Sequence, residues 1–107
     1  MAVSVIDSGS LTGSAAEQTL STQTGAGIYT LAVDANAMVA GDTTILRIYG
    51  KARSSDTERL MFESAYSDVQ ADPLKLSIAV LSPHHFKATL QQTAGTGRAF
   101  PWAVYGA

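Results

Sequence analysis

Apolar residues recur at every second position through most of the chain, in short runs broken by Gly, Asp, Ser and Thr. That period puts the apolar side chains of an extended segment on one face, so the pattern predicts half-buried antiparallel strands and little helix. A first strand is expected over residues 2–8, ahead of the turn-rich Gly9-Ser10-Leu11-Thr12-Gly13-Ser14. A more polar strand follows through Glu17, Thr19 and Ser21, with Leu20 as its main buried candidate. Beyond Gly25-Ala26-Gly27, the residues Tyr29, Leu31 and Val33 alternate with Thr30, Ala32 and Asp34, which predicts a strand with one buried face. One helical turn is expected over 35–40, capped by Asp34 or Asn36 and stopped by Gly41-Asp42.

Strands over 43–53 and 58–67, joined by the polar Ser54-Ser55-Asp56-Thr57, predict a hairpin with Leu46, Ile48, Leu60 and Phe62 on its buried face. Gly50 falls on that same face and would leave room beside Phe62. Leu74, Leu76, Ile78 and Val80 form another alternating run, which ends at Ser82-Pro83 because proline cannot donate to a ladder. From His84 a further strand places Phe86, Ala88 and Leu90 against His85, Lys87, Thr89 and Gln91, and Ala94-Gly95-Thr96-Gly97 turns the chain back. The last strand carries Phe100, Trp102 and Val104 inward, with Pro101 opposite them marking an edge strand or a bulge. About eight short strands in a chain of 107 residues predict an all-β fold, a single two-sheet antiparallel β-sandwich over 1–107. A jelly roll leads, with an immunoglobulin-like sandwich or a small barrel as the alternative.

Composition sharpens this picture. Hydrophobic residues are 46% of the chain and charged residues 15%, enough for a core but leaving a Ser/Thr-rich surface that suits a subunit packed among neighbours. A net charge of -2 supplies no general attraction to nucleic acid or to an anionic membrane, and neither is expected as a partner. The absence of cysteine excludes disulfides and thiolate metal sites. No apolar run approaches the ~20 residues that cross a bilayer, and Met1-Ala2-Val3-Ser4 lacks a secretion signal, so synthesis and residence in the cytoplasm are expected before any assembly.

The segment from Leu90 to Tyr105, with Gln91-Gln92-Thr93-Ala94-Gly95-Thr96-Gly97-Arg98 followed by Phe100-Pro101-Trp102, resembles the C-terminal signature of small proteins encoded among tailed-phage structural genes. Ile28-Tyr29-Thr30-Leu31-Ala32-Val33-Asp34, Ala40-Gly41-Asp42 and Leu46-Arg47-Ile48-Tyr49-Gly50-Lys51 resemble the same group, so the resemblance spans most of the chain. It implies a jelly-roll capsid decoration or cement protein on the virion surface, made in the host cytoplasm, with the major capsid protein or other virion proteins as partners. It supplies no catalytic positions.

The most suggestive local feature is Arg47, Tyr49, Lys51 and Arg53, which one strand would display together as a basic stripe with an aromatic. Such a stripe suits docking on an acidic capsid surface, because Arg binds carboxylates in a bidentate manner and Tyr adds contact area. The plainer alternative is a solvated strand face paired with Glu63 and its neighbours. His84 and His85 point to opposite faces and so are not expected to chelate one metal, and the scattered Asp34, Asp42, Asp56, Asp68 and Asp72 suit turn capping better than calcium. Gly25-Ala26-Gly27 and Gly95-Thr96-Gly97 lead into strands rather than helices, so they lack the features of a phosphate loop, and Trp102 is expected in the core. With no nucleophile elbow, paired-carboxylate motif or zinc-binding helix, the expectation is a non-enzymatic binding module without cofactor or metal, self-associating as a dimer or trimer. The competing expectations are a tail or fibre adaptor that binds host carbohydrate, and a small metal-dependent jelly-roll enzyme using His84, His85 and an Asp.

Overall fold

The structure, a computed structural model, describes residues 2–107. Its nine strands are β1 (Ser4–Thr12), β2 (Gln18–Gln23), β3 (Gly27–Asp34), β4 (Thr43–Gly50), β5 (Arg59–Ser67), β6 (Leu74–Leu76), β7 (Val80–Ser82), β8 (Phe86–Ala94) and β9 (Ala99–Gly106). One sheet runs β1-β9-β3-β6, with β7 also on β3, and the other runs β2-β8-β4-β5. All pairings are antiparallel. Because β6 and β7 follow one another along the same edge of β3, they act as one interrupted strand, and the fold counts as eight. The pairs β1 with β9, β2 with β8, β3 with β6–β7, and β4 with β5 nest inside one another, alternating between the sheets. This is the wrapping of a jelly roll.

The core between the sheets is built from the alternating positions of the longest strands. Leu31 and Val33 of β3, Leu46 and Ile48 of β4, Phe86, Ala88 and Leu90 of β8, and Phe100 and Val104 of β9 are all buried. Tyr29 and Phe86 meet with ring centroids 5.2 Å apart, a favourable tilted aromatic contact between the two sheets. Trp102 is half-buried against this core and lies over Gly9, where a Cβ would stand 3.1 Å from its ring.

Several sequence expectations shift, and the reason is usually one extra residue. β1 runs on to Thr12 in pairing with β9, and it carries a register shift between Val5 and Asp7. Segment 35–40 forms tight turns and no helix, with Met38 N bonded to Ala35 O and Asp42 N to Val39 O. A bulge pairs Ile48 with Phe62 but Tyr49 with Leu60, so Leu60 turns outward and is exposed. The space beside Gly50 is therefore filled by Met61, whose sulfur would lie 2.6 Å from an added Cβ, and not by Phe62.

The run from Leu74 to Val80 is broken in the same way. Ala32 pairs with Leu76 whereas Tyr29 pairs with Val80, so one surplus residue lies between them. The Ser77 hydroxyl and amide fill the gap by bonding the amide and carbonyl of Leu31. Val80 consequently points into the core, while Leu74 and Leu76 are left outside. Pro101 lies in the central strand β9, but just past Val33↔Trp102, the last β3 pair, where its missing N–H is not needed.

Candidate interaction surfaces

The two outer faces of the sandwich differ in chemistry. On the β2-β8-β4-β5 sheet, Arg47 and Tyr49 of β4 project outward as expected, but their polar groups are already engaged. Arg47 donates to Gln91 Oε1 at 2.9 Å and forms ion pairs with Glu17 at 3.6 Å and Glu63 at 3.5 Å. Tyr49 donates its hydroxyl to Glu17, and Thr89 donates to the same carboxylate oxygen at 2.6 Å. Burial works against the Glu17 carboxylate, yet the Thr89 and Tyr49 hydrogen bonds and the nearby Arg47 and Lys87 charges outweigh it, so its pKa falls below the ordinary glutamate value. The same bond to Glu17 raises the Tyr49 hydroxyl.

Lys51 and Arg53 do not extend this row. The strand ends at Gly50, and Arg53 belongs to the following turn, where it pairs with Asp56 at 2.9 Å. The structure thus brings together Arg47 and Tyr49 on the sheet and separates them from Lys51 and Arg53 in the loop. Further along, Lys87 lies 4.7 Å over the Tyr49 ring and donates to Glu58 at 2.6 Å. Glu58 also bonds His85 at 2.8 Å, and the Lys87 bond first, then that of His85, holds its carboxyl below the ordinary range. His84 instead reaches Lys51 O at 3.0 Å, so the two histidines serve different neighbours. A 310 Å³ hollow lined by Lys51, Arg59, Met61, Leu81 and His85 opens beside them. Among the described residues no group of three His, Cys, Asp or Glu is placed to hold a metal ion.

Of the five aspartates expected to cap turns, four accept backbone amides of loop residues. Asp34 accepts from Asn36 N, Asp42 from Val39 N, Asp56 from Arg53 N and Asp68 from Gly41 N, all within 3.0 Å. Asp68 adopts a φ of 66°, a left-handed conformation that a short polar residue tolerates.

The outer face of the β1-β9-β3-β6 sheet has the opposite character. The register puts Ser8, Ala103, Ala32 and Leu76 in one row across it, with Tyr105, Thr30 and Val5 in another. Leu74, Leu76 and Leu81 stand 58%, 54% and 77% exposed along one edge, and Val3 and Val5 are exposed near the other. Among the described residues, the only charged strand residue on this face is Asp34, at the end of β3. The exposed apolar side chains of this face thus gather at its two edges, with small or half-buried side chains between them. Sequence reasoning missed it because Leu74 to Val80 was read as one unbroken alternating run, without the surplus residue that splits it. A usable signal was present nonetheless, since outward positions in β1, β3 and β9 are almost devoid of charge.

No family model matches the chain, and neither a curated protein nor a solved structure matches it significantly.

Proposed function

We propose that the chain is a structural component of a tailed-phage particle, a capsid decoration protein that braces neighbouring major capsid subunits by protein–protein contact and performs no chemistry. The observation that carries this reading is the sparsely charged, leucine-edged outer face of the β1-β9-β3-β6 sheet, a surface suited to being covered by protein. The resemblance of Leu90 to Tyr105 and of the β3 and β4 segments to phage structural proteins supplies the setting. The opposite face adds a second, polar surface on which Arg47 and Tyr49 are held in fixed positions by Glu17. A rigid module with two chemically distinct faces can bridge two different neighbours, as a brace between subunits must.

The test is mass spectrometry and imaging of purified particles of the phage that encodes it, combined with addition of the purified protein to undecorated capsids. The reading expects many copies on the head and saturable binding to bare capsids. Absence from particles would overturn it, and a few copies confined to the tail would replace the head assignment with a tail role.

A further inference from the structure

The seven Lys and Arg residues of the chain differ in what surrounds them. Arg47, Arg53, Lys87 and Arg98 each pair with a carboxylate, and Lys75 lies 4.8 Å over the Tyr66 ring. Among the described residues, the side chains of Lys51 and Arg59 take part in no ion pair or hydrogen bond, and both line the 310 Å³ hollow where β4 gives way to β5. A single unpaired surface cation is ordinary, but two on one concavity focus a positive field into it. In the β4–β5 loop and the strand ends beside it, Lys51, Arg53, Arg59 and Lys87 stand against Asp56 and Glu58 alone, a local positive surplus in a chain whose net charge is -2.

Apolar side chains make the rest of the wall. Leu60 and Met61 of β5 and Leu81 of β7 line it while standing 48%, 46% and 77% exposed. The His85 ring is committed to Glu58 at 2.8 Å, and Glu58 also holds Lys87, so that carboxylate does not answer Lys51 and Arg59. The frame is fixed in advance of any ligand. His84 Nε2 donates to Lys51 O at 3.0 Å, and the loop beyond is closed by the Arg53 amide on Asp56 and the Asp56 amide on Arg53 O, both at 3.0 Å. Arg59 and Ala52 also line a second hollow, of 460 Å³, with Ser55 and Thr57 on its far side. The two hollows form one trough, apolar at the Leu81 end, cationic in the middle and hydroxyl-lined at the other end.

We infer that this trough docks an extended segment of another protein in which an Asp or Glu adjoins a bulky apolar side chain, with the carboxylate between Lys51 and Arg59 and the apolar group against Met61 and Leu81. The unpaired cations select the sign of the occupant, because a carboxylate makes charge-assisted hydrogen bonds to both types of head group. The apolar walls select what the carboxylate is attached to. A free small ligand buries most of its surface in its pocket, whereas walls this exposed cover one side only, and a protein segment brings its own body to shield the other. A nucleic acid would satisfy the cations but leave Met61 and Leu81 in water, and among the described residues no Phe, Tyr or Trp lines the trough to stack a base. The site requires no capsid, so it holds for any assembly in which the chain takes part.

The test is a titration of the isotope-labelled protein with the capped peptide acetyl-Ala-Leu-Glu-Leu-Ala-amide, followed by NMR. Saturable shifts at millimolar peptide are expected for the amides of Gly50, Lys51, Ala52, Arg59, Met61 and Leu81, which line the hollow. The same peptide with Gln in place of Glu should bind at least ~5-fold more weakly, and so should the Glu peptide to the double variant Lys51→Gln with Arg59→Gln. Neither side chain has a partner to lose, so the amide spectrum of that variant should match the parent away from the trough. Lys75→Gln, whose parent lies over Tyr66 instead, should bind as the parent does. A peptide with Ala for both leucines should also bind more weakly. No shift at these amides, equal binding of the Glu and Gln peptides, or an undiminished double variant would each overturn the docking site. Inorganic phosphate that shifts the same amides as strongly as the peptide would do so too, by showing a bare anion site. A failed titration leaves capsid decoration standing, whereas absence of the protein from particles leaves peptide binding in the trough untouched.

Discussion

Arg98 Nε donates to Asp42 Oδ2 at 2.8 Å, joining the turn before β4 to the turn before β9 across 56 residues of sequence. Asp42 is 1% exposed, and its carboxylate also accepts the Val39 amide at 3.0 Å. The backbone of the same residue receives the Asp68 amide, so three loops converge on it. The Arg98 bond, followed by the Val39 bond, holds the Asp42 carboxyl below the ordinary aspartate range.

Removing the guanidinium would leave a buried carboxylate with a backbone amide as its remaining partner, which is costlier than losing an exposed pair. Arg98→Met is therefore expected to lower the melting temperature by at least about 5 °C, and by more than Arg53→Met, whose parent side chain is 80% exposed. Equal melting temperatures for the two variants would show that the Asp42 contact does not hold these loops.

Two glycines near the same junction separate backbone conformation from space. Gly41 and Gly95 have φ of 91° and 92°, a region that L side chains rarely adopt. A Cβ at Gly41 meets nothing within 4 Å, whereas one at Gly95 falls on the Asp42 carboxylate. Gly41→Ala is expected to cost about 1–2 kcal/mol, the conformational penalty alone, and Gly95→Ala about 3 kcal/mol or more. Urea denaturation of both variants gives the comparison, and similar losses would contradict the crowding at Gly95.

These loop relations could not be read from the chain, since Asp42 and Arg98 are remote in sequence and each looks like an ordinary turn residue. The strands were more legible. In β3, β8 and β9 the two-residue alternation matches one buried face from end to end, as Leu31 with Val33 and Phe86 with Leu90 illustrate. Where a bulge adds one residue, the alternation continues in sequence but changes face in space. Leu60 was expected on the buried face of its hairpin and Leu74 to Val80 as one unbroken alternating run for that reason, and the exposed sheet face stayed hidden. The basic stripe was half legible: the spacing of Arg47 and Tyr49 placed them on one strand face, but nothing local to Gly50 showed that the strand would end before Lys51.

Acid should weaken the fold through Glu17, Asp42 and Glu58. Each pKa is lowered from its ordinary value of 4.5 for the glutamates or 3.8 for the aspartate. The folded chain then binds these protons less tightly than the unfolded one, so the contribution is full above the ordinary values and is lost as pH falls through the lowered ones. The urea midpoint is expected to fall between about pH 5 and about pH 3, and Glu17→Gln combined with Glu58→Gln should make that fall shallower. A midpoint unchanged down to about pH 3 would mean that these carboxylates are not held ionised by folding.

The sheet face that carries Arg47 can be tested for what its charges do at home before any partner arrives. Arg47 is 18% exposed and stands between Glu17 and Glu63, with Gln91 accepting from it. Arg47→Ala would leave two carboxylates facing each other and the Gln91 carbonyl without its donor, an expected loss of about 1–2 kcal/mol. Lys51, beyond the strand end, has only its backbone carbonyl engaged by His84, so Lys51→Ala should stay within about 0.5 kcal/mol of the parent. Binding of the same variants to bare capsids then separates the roles. Lys51→Ala and Arg53→Ala can lower affinity only by losing contacts, since the fold is intact, whereas a loss in Arg47→Ala must exceed the effect of its destabilisation to count as docking. Capsid affinity unchanged in all three would remove this edge of the molecule from the interface.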